Sequence, residues 1–146
     1  LEMAMLLGGL FFAGRRVIEM VAAPLSGYIA DRFGVRTPLT ATSFLLVIGL
    51  GLVGLGWLYT GALAIVLARG ALGTLIPAAV ALFAPDAVLQ SLARNQTWRD
   101  IGAAMGPLTT GFVLGSTTPE NLHRVLAMIV LASLLWLLAW PTWRSR

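Results

Sequence analysis

The chain has 146 residues, 58% of them hydrophobic and only 11% charged, with ten basic against six acidic groups and a net charge of +4. Its mean hydropathy of +0.88 is far from the balance of a soluble domain and marks a membrane protein. All basic residues are Arg and there is no Cys, which excludes a disulfide frame, a thiol nucleophile and a thiolate metal site, while the single His123 cannot make a metal centre alone.

The Arg residues lie between apolar blocks and not on one basic face interleaved with aromatics. The lipid bilayer is therefore the expected partner and nucleic acid is not. The chain starts LEMAMLLGGL, without initiator Met or a basic region before the apolar run, so a fragment lacking N-terminal sequence is expected. The aromatic and basic tail WPTWRSR reads as a natural end after a membrane helix.

Apolar runs of about 20 residues, the length that crosses ~30 Å of hydrocarbon, predict an all-α bundle of five spanning helices in one domain over 1–146. The spans are expected at about 3–30, 38–58, 61–84, 99–115 and 123–140. A β-barrel is excluded because the runs are continuous and rich in Ala, Leu and Gly instead of alternating. Thr37 before Pro38 predicts a capped start for the second helix, and Pro85 with Asp86 closes the third. Asn95, Gln96 and Thr97 are expected to cap the fourth, with Asp100 in its first turn.

Arg32, Arg36, Arg94, Arg99, Arg144 and Arg146 fall on one side of such a bundle. The other side has a minimal turn at Thr60 and the loop STTPENLHR with Arg124. The positive-inside rule then makes the 31–37 loop, the 86–98 loop and the C-terminus cytoplasmic, in a multi-pass protein of the plasma (inner) membrane.

The first of these loops, GYIADRFGVR, reads G-x-x-x-D-R-x-G-x-R over Gly27, Asp31, Arg32, Gly34 and Arg36. Gly27 removes a side chain where a helix can approach, and Gly34 permits a sharp turn. The pattern resembles the loop signature of the major facilitator superfamily, whose secondary transporters have two six-helix halves. RGALG at Arg69 and RDIGAAMGPLTTG at Arg99 resemble further helices of that family, and all five spans then fall in one register. The resemblance implies a secondary active transporter that carries a small solute by alternating access. It also implies that Asp31, Arg36 and the start of the fourth helix form a cytoplasmic latch. The alternative is a solvated turn whose Arg residues only set topology.

Arg15, Arg16, Glu19 and Arg69 lie inside predicted spans, where a charge costs at least ~2.5 kcal/mol on insertion scales. Arg15 and Arg16 stand roughly 22 Å from the Asp31 end, and Glu19 follows at i+4 and i+3, within reach of both. Arg16 also projects near the face of Gly27, which favours a bundle-facing pair. Glu19 is either a protonatable coupling carboxylate or the partner that neutralises these Arg residues, and surplus positive charge suits an anionic substrate or snorkelling to the interface. The family resemblance carries a proton-transfer role to Arg69 only weakly. A pairing with a carbonyl freed by Pro77 is the other reading.

In the fourth span Gly102 and Gly106 lie four apart, followed by Pro107 and Gly111. Small-xxx-small spacing lets helix backbones touch, and Pro107 invites a kink. The run resembles a family motif associated with antiporters, although Thr110 stands where that motif has glycine; plain tight packing is the alternative. The eighth to twelfth helices of such a transporter are the expected match, with the N-terminal half as missing partner. No cofactor, metal or enzymatic constellation is expected, since no Ser/His pair at plausible depth and no phosphate-cradling loop is present. A membrane scaffold that transports nothing is the competing class.

Overall fold

A computed structural model describes residues 2–139. The expectations placed on the tail, including Arg144 and Arg146, lie outside the described residues. Five helices follow in order: α1 (Glu2–Phe33), α2 (Arg36–Gly54), α3 (Leu58–Phe83), α4 (Val88–Leu114) and α5 (Pro119–Ala139), with a 3-10 turn Pro85–Ala87 ahead of α4. No strand occurs among the described residues, so the all-α expectation holds.

Three helices, α2, α3 and α5, are long and apolar enough to cross a membrane. At 1.5 Å per residue even the 19 residues of α2 extend roughly 28 Å, close to the ~30 Å of a hydrocarbon core. Of the five expected spans, three meet this measure among the described residues. The reason is the charge inside the other two helices: Arg15, Arg16 and Glu19 in α1, and Arg94, Arg99 and Asp100 in α4.

Several boundaries differ from expectation. Helix α2 begins at Arg36 behind Val35, with no side-chain cap, so Thr37 is not the N-cap and Pro38 sits at the third position. There the missing proline N–H is still one of the four that a helix start leaves unbonded. Gly34, at φ +79°, makes the reversal alone, which lets the helix resume within two residues. Thr60 lies inside the first turn of α3 and returns its hydroxyl to the Trp57 carbonyl (3.2 Å). The turn itself is Leu55–Trp57, where Gly56 takes φ +90°.

The largest correction concerns α4, which starts at Val88 and not near Arg99, so most of the 86–98 stretch is helix and not loop. Asn95, Gln96, Thr97 and Asp100 are therefore interior positions. Three of them bond along the helix: Thr97 donates to the Ala93 carbonyl (2.9 Å) and Gln96 donates to Asp100 (3.0 Å), one turn apart in each case. A polar run whose hydrogen bonds close within its own helix gives no reason to stop it.

The packing order is α1, α3, α2, α5, and among the described residues α4 touches only α3, α5 and the 3-10 turn. Lipid tails are as apolar as Leu, so such helices associate through close backbone approach and not through hydrophobic transfer. Small residues supply it. A Cβ on Gly61 would come within 2.7 Å of the Gly49 carbonyl oxygen, closing the α2–α3 hairpin, and one on Gly54 within 3.2 Å of the Arg124 amide of α5. A cluster of Ala30, Leu39, Leu75 and Ala79 ties α1, α2 and α3 at the end marked by Arg36. Helix α4 has no buried residue; Phe112 is 88% exposed.

Candidate functional site

The charged residues inside α1 form one unit. Arg15 Nε donates to Glu19 Oε1 at 2.8 Å, and Arg16 Nη1 donates to Glu19 Oε2 at 3.1 Å. Both expected pairings are made, one turn of helix apart. They differ in surroundings: the Arg15 and Glu19 side chains are mostly covered, whereas that of Arg16 is 77% exposed.

Helix α3 packs beside this unit in parallel with α1. A Cβ on Gly70 would lie 3.0 Å from Ala22 Cβ and 3.1 Å from Glu19 Cα. One turn further on, Thr74 Oγ1 donates to the Ala23 carbonyl (3.3 Å) and Ser26 Oγ approaches Thr74 Oγ1 at 3.4 Å. Ser26 is buried and its hydroxyl also donates to the Ala23 carbonyl at 2.8 Å, so this polar contact between helices is fully satisfied. These residues were not singled out by the sequence reading. Their signal was present as small residues at Ala22, Ser26 and Ala30 along one face of α1.

Arg69, next to Gly70, contributes to the positive field at Glu19. It makes no hydrogen bond or ion pair with another described residue, so the expected alternative of a carbonyl freed by Pro77 is not realised. Arg69 instead joins Arg15 and His123 in lining a cleft of about 200 Å³. The apolar wall comes from Val53 at the end of α2 and from Leu58, Ala62, Ile65 and Val66 along the first turns of α3. His123 Nδ1 lies 2.7 Å from the Pro119 carbonyl. A carbonyl only accepts, so Nδ1 holds the proton and a neutral ring keeps Nε2 for another partner. His123 is the member of this site that sequence reading set aside, because its neighbours come from three other helices.

At the other end of the bundle the expected loop is a tight reversal at Gly34. Arg36 lies over the Phe83 ring of α3 at 5.4 Å, and Arg32 over the ring of its neighbour Phe33 at 5.7 Å. The Arg36–Phe83 contact places this loop and the end of α3 together. Asp31 is exposed, and α1 shares no contact with α4 among the described residues, so in this conformation Asp31 does not meet the start of the fourth helix. The physical reason is the course of α4, which leaves the 3-10 turn along α3 and α5.

The expected packing glycines divide in the same way. A Cβ on Gly27, Gly102, Gly106 or Gly111 would meet nothing within 4 Å, so these positions make no close approach among the described residues. Pro107 lies within continuous α4. The close approaches are at Gly49, Gly54, Gly61 and Gly70 instead.

Among the described residues no group of three His, Cys, Asp or Glu side chains is placed to hold a metal ion. Comparison of the chain with protein-family models, with curated proteins and with solved structures finds no match.

Proposed function

We propose that the chain is the membrane part of a secondary active transporter that moves a small solute by alternating access, coupled to protons. The observation that carries this reading is the Arg15–Glu19–Arg16 unit beside a cleft that it shares with Arg69 and His123. Charge inside a membrane helix is costly and is retained where it binds or moves something. A scaffold that transports nothing has no use for three guanidiniums and one carboxylate at that depth.

The resemblance of GYIADRFGVR to the major facilitator superfamily supplies the rest of the proposal. In that scheme these helices are the eighth to twelfth of a twelve-helix protein in the plasma membrane, with Arg32 and Arg36 at the cytoplasmic end by the positive-inside rule. Asp31 and Arg36 then belong to a latch made in one state of the cycle and open in the conformation described above. The exposed faces of α4 would be covered by the other helices of the same transporter.

The test is solute uptake by the full-length protein in proteoliposomes, with and without an imposed pH gradient. Uptake that rises with the gradient supports a proton-coupled carrier. Absence of flux for every solute across a broad screen would leave a helix-bundle scaffold as the reading.

A further inference from the structure

The cleft between α1, α3 and the start of α5 joins an apolar wall to cationic side chains that are incompletely partnered. Arg15 gives Glu19 its Nε, and among the described residues its two Nη groups make no hydrogen bond. Arg69, which is exposed, makes none with any described residue. Guanidinium groups in apolar surroundings are stabilised chiefly by an anion, and their planar forks match an oxyanion with two parallel bonds. Three guanidiniums, those of Arg15, Arg16 and Arg69, stand against the one carboxylate of Glu19, so the unit is short of negative charge. The aliphatic wall of Ile65 and Val66 calls for hydrocarbon on the same ligand. Val53 and Leu58 place one end of the cleft beside the α2–α3 turn.

We infer that this cleft binds a singly charged oxyanion carried on a short apolar body, with Arg69 and the Nη groups of Arg15 as the anion clamp. A volume of about 200 Å³ holds a chain of a few carbons. The two sources of such chemistry are a free aliphatic carboxylate and the phosphate of an anionic phospholipid entering from the side. The inference rests on the transport reading only in naming this anion as cargo; the binding itself does not need it.

The test uses the full-length protein in phosphatidylcholine nanodiscs, titrated calorimetrically with hexanoate, hexanol and hexylamine. Saturable hexanoate binding that neither the alcohol nor the amine displaces is expected, and this charge selectivity is read on the unaltered protein. Arg69→Gln is expected to weaken hexanoate roughly tenfold or more, and Arg69→Lys, which keeps the charge but loses the fork, to fall between Arg69→Gln and the unaltered protein, with a thermal midpoint for each variant to show that it is folded. Adding phosphatidylglycerol separates the sources: unchanged hexanoate affinity identifies the free anion, and displacement of hexanoate identifies the headgroup in the same clamp. The inference is overturned if neither hexanoate nor phosphatidylglycerol binds, or if hexanol competes as well as hexanoate. Hexanoate binding without hexanoate flux in proteoliposomes would support the clamp and count against the transport reading. Flux of a neutral or cationic solute that hexanoate does not inhibit would do the reverse.

Discussion

Gly70 and Glu19 are in contact across the α1–α3 interface, close enough that a Cβ at position 70 would stand 3.1 Å from the Glu19 Cα. The size of one residue on α3 therefore sets the distance between that helix and the ion-paired segment of α1. Gly70→Ala is expected to push the helices apart and lower stability by about 1–3 kcal/mol, the usual range for overpacking a tight contact. Gly106→Ala meets open space and gains helix propensity, so it is expected to leave stability unchanged or slightly raised. Thermal unfolding midpoints in detergent check both; equal loss in the two variants would show that glycine content and not the α1–α3 contact is being measured.

The shared carboxylate gives a second prediction. Glu19→Gln removes the negative charge that Arg15 and Arg16 share and turns one of its two acceptor oxygens into a donor, and folded yield is expected to fall. Adding Arg15→Gln removes the better covered of the two stranded charges and is expected to restore part of that yield, a non-additive outcome because the residues touch. Expression and detergent stability of the two singles and the double measure it. If the double variant recovers folding but not gradient-driven uptake, Glu19 has a coupling role in addition to the ion pair; additive losses would sink the shared-unit account.

The helical character, the number and order of the helices and the Arg–Glu pairing were legible because they follow from local spacing: apolar run length, and charges at i+3 and i+4. The start of α4 was misread because Asn95, Gln96 and Thr97 look like a cap in a string of residues, although inside the helix two of them find acceptors one turn away. The tight glycines were misassigned for a different reason. Spacing four apart, as at Gly102 and Gly106, shows that a backbone can be approached but not which helix approaches it, and the close contacts fell at Gly54, Gly61 and Gly70. The cleft was out of reach, since Arg15, Arg69 and His123 come together only through the packing order of four helices.

A third prediction concerns the far end of α2. Arg124 Nε donates to the Gly54 carbonyl at 2.7 Å, satisfying an acceptor that the helix end leaves open and fastening α5 to α2. Arg124→Leu keeps much of the bulk against Gly54 and removes the donor, so a loss of roughly 1–3 kcal/mol is expected, the range for stranding a partly buried acceptor. Gly54→Ala should destabilise as well, through the Arg124 side chain and backbone that its Cβ would strike. Protease sensitivity of the segment before α5 and the unfolding midpoint report on this joint. Unchanged values in Arg124→Leu would mean that the Gly54 carbonyl finds water instead.

The loop at the other end separates shape from switching. Gly34 at φ +79° is a conformation that a β-branched residue resists, so Gly34→Val is expected to cost about 1–2 kcal/mol of stability. Asp31 is exposed and α1 makes no contact with α4, so Asp31→Asn is expected to leave the unfolding midpoint unchanged within about 0.5 kcal/mol. A carboxylate that acts only in another state of the cycle should nevertheless alter turnover, because removing its charge changes the balance between states without touching the state described by these contacts. The informative result is the split between the two assays for Asp31→Asn: a normal midpoint with a changed uptake rate supports the latch. A normal midpoint with a normal rate reduces Asp31 to a solvated turn residue, and a lowered midpoint would mean that it holds the folded loop itself.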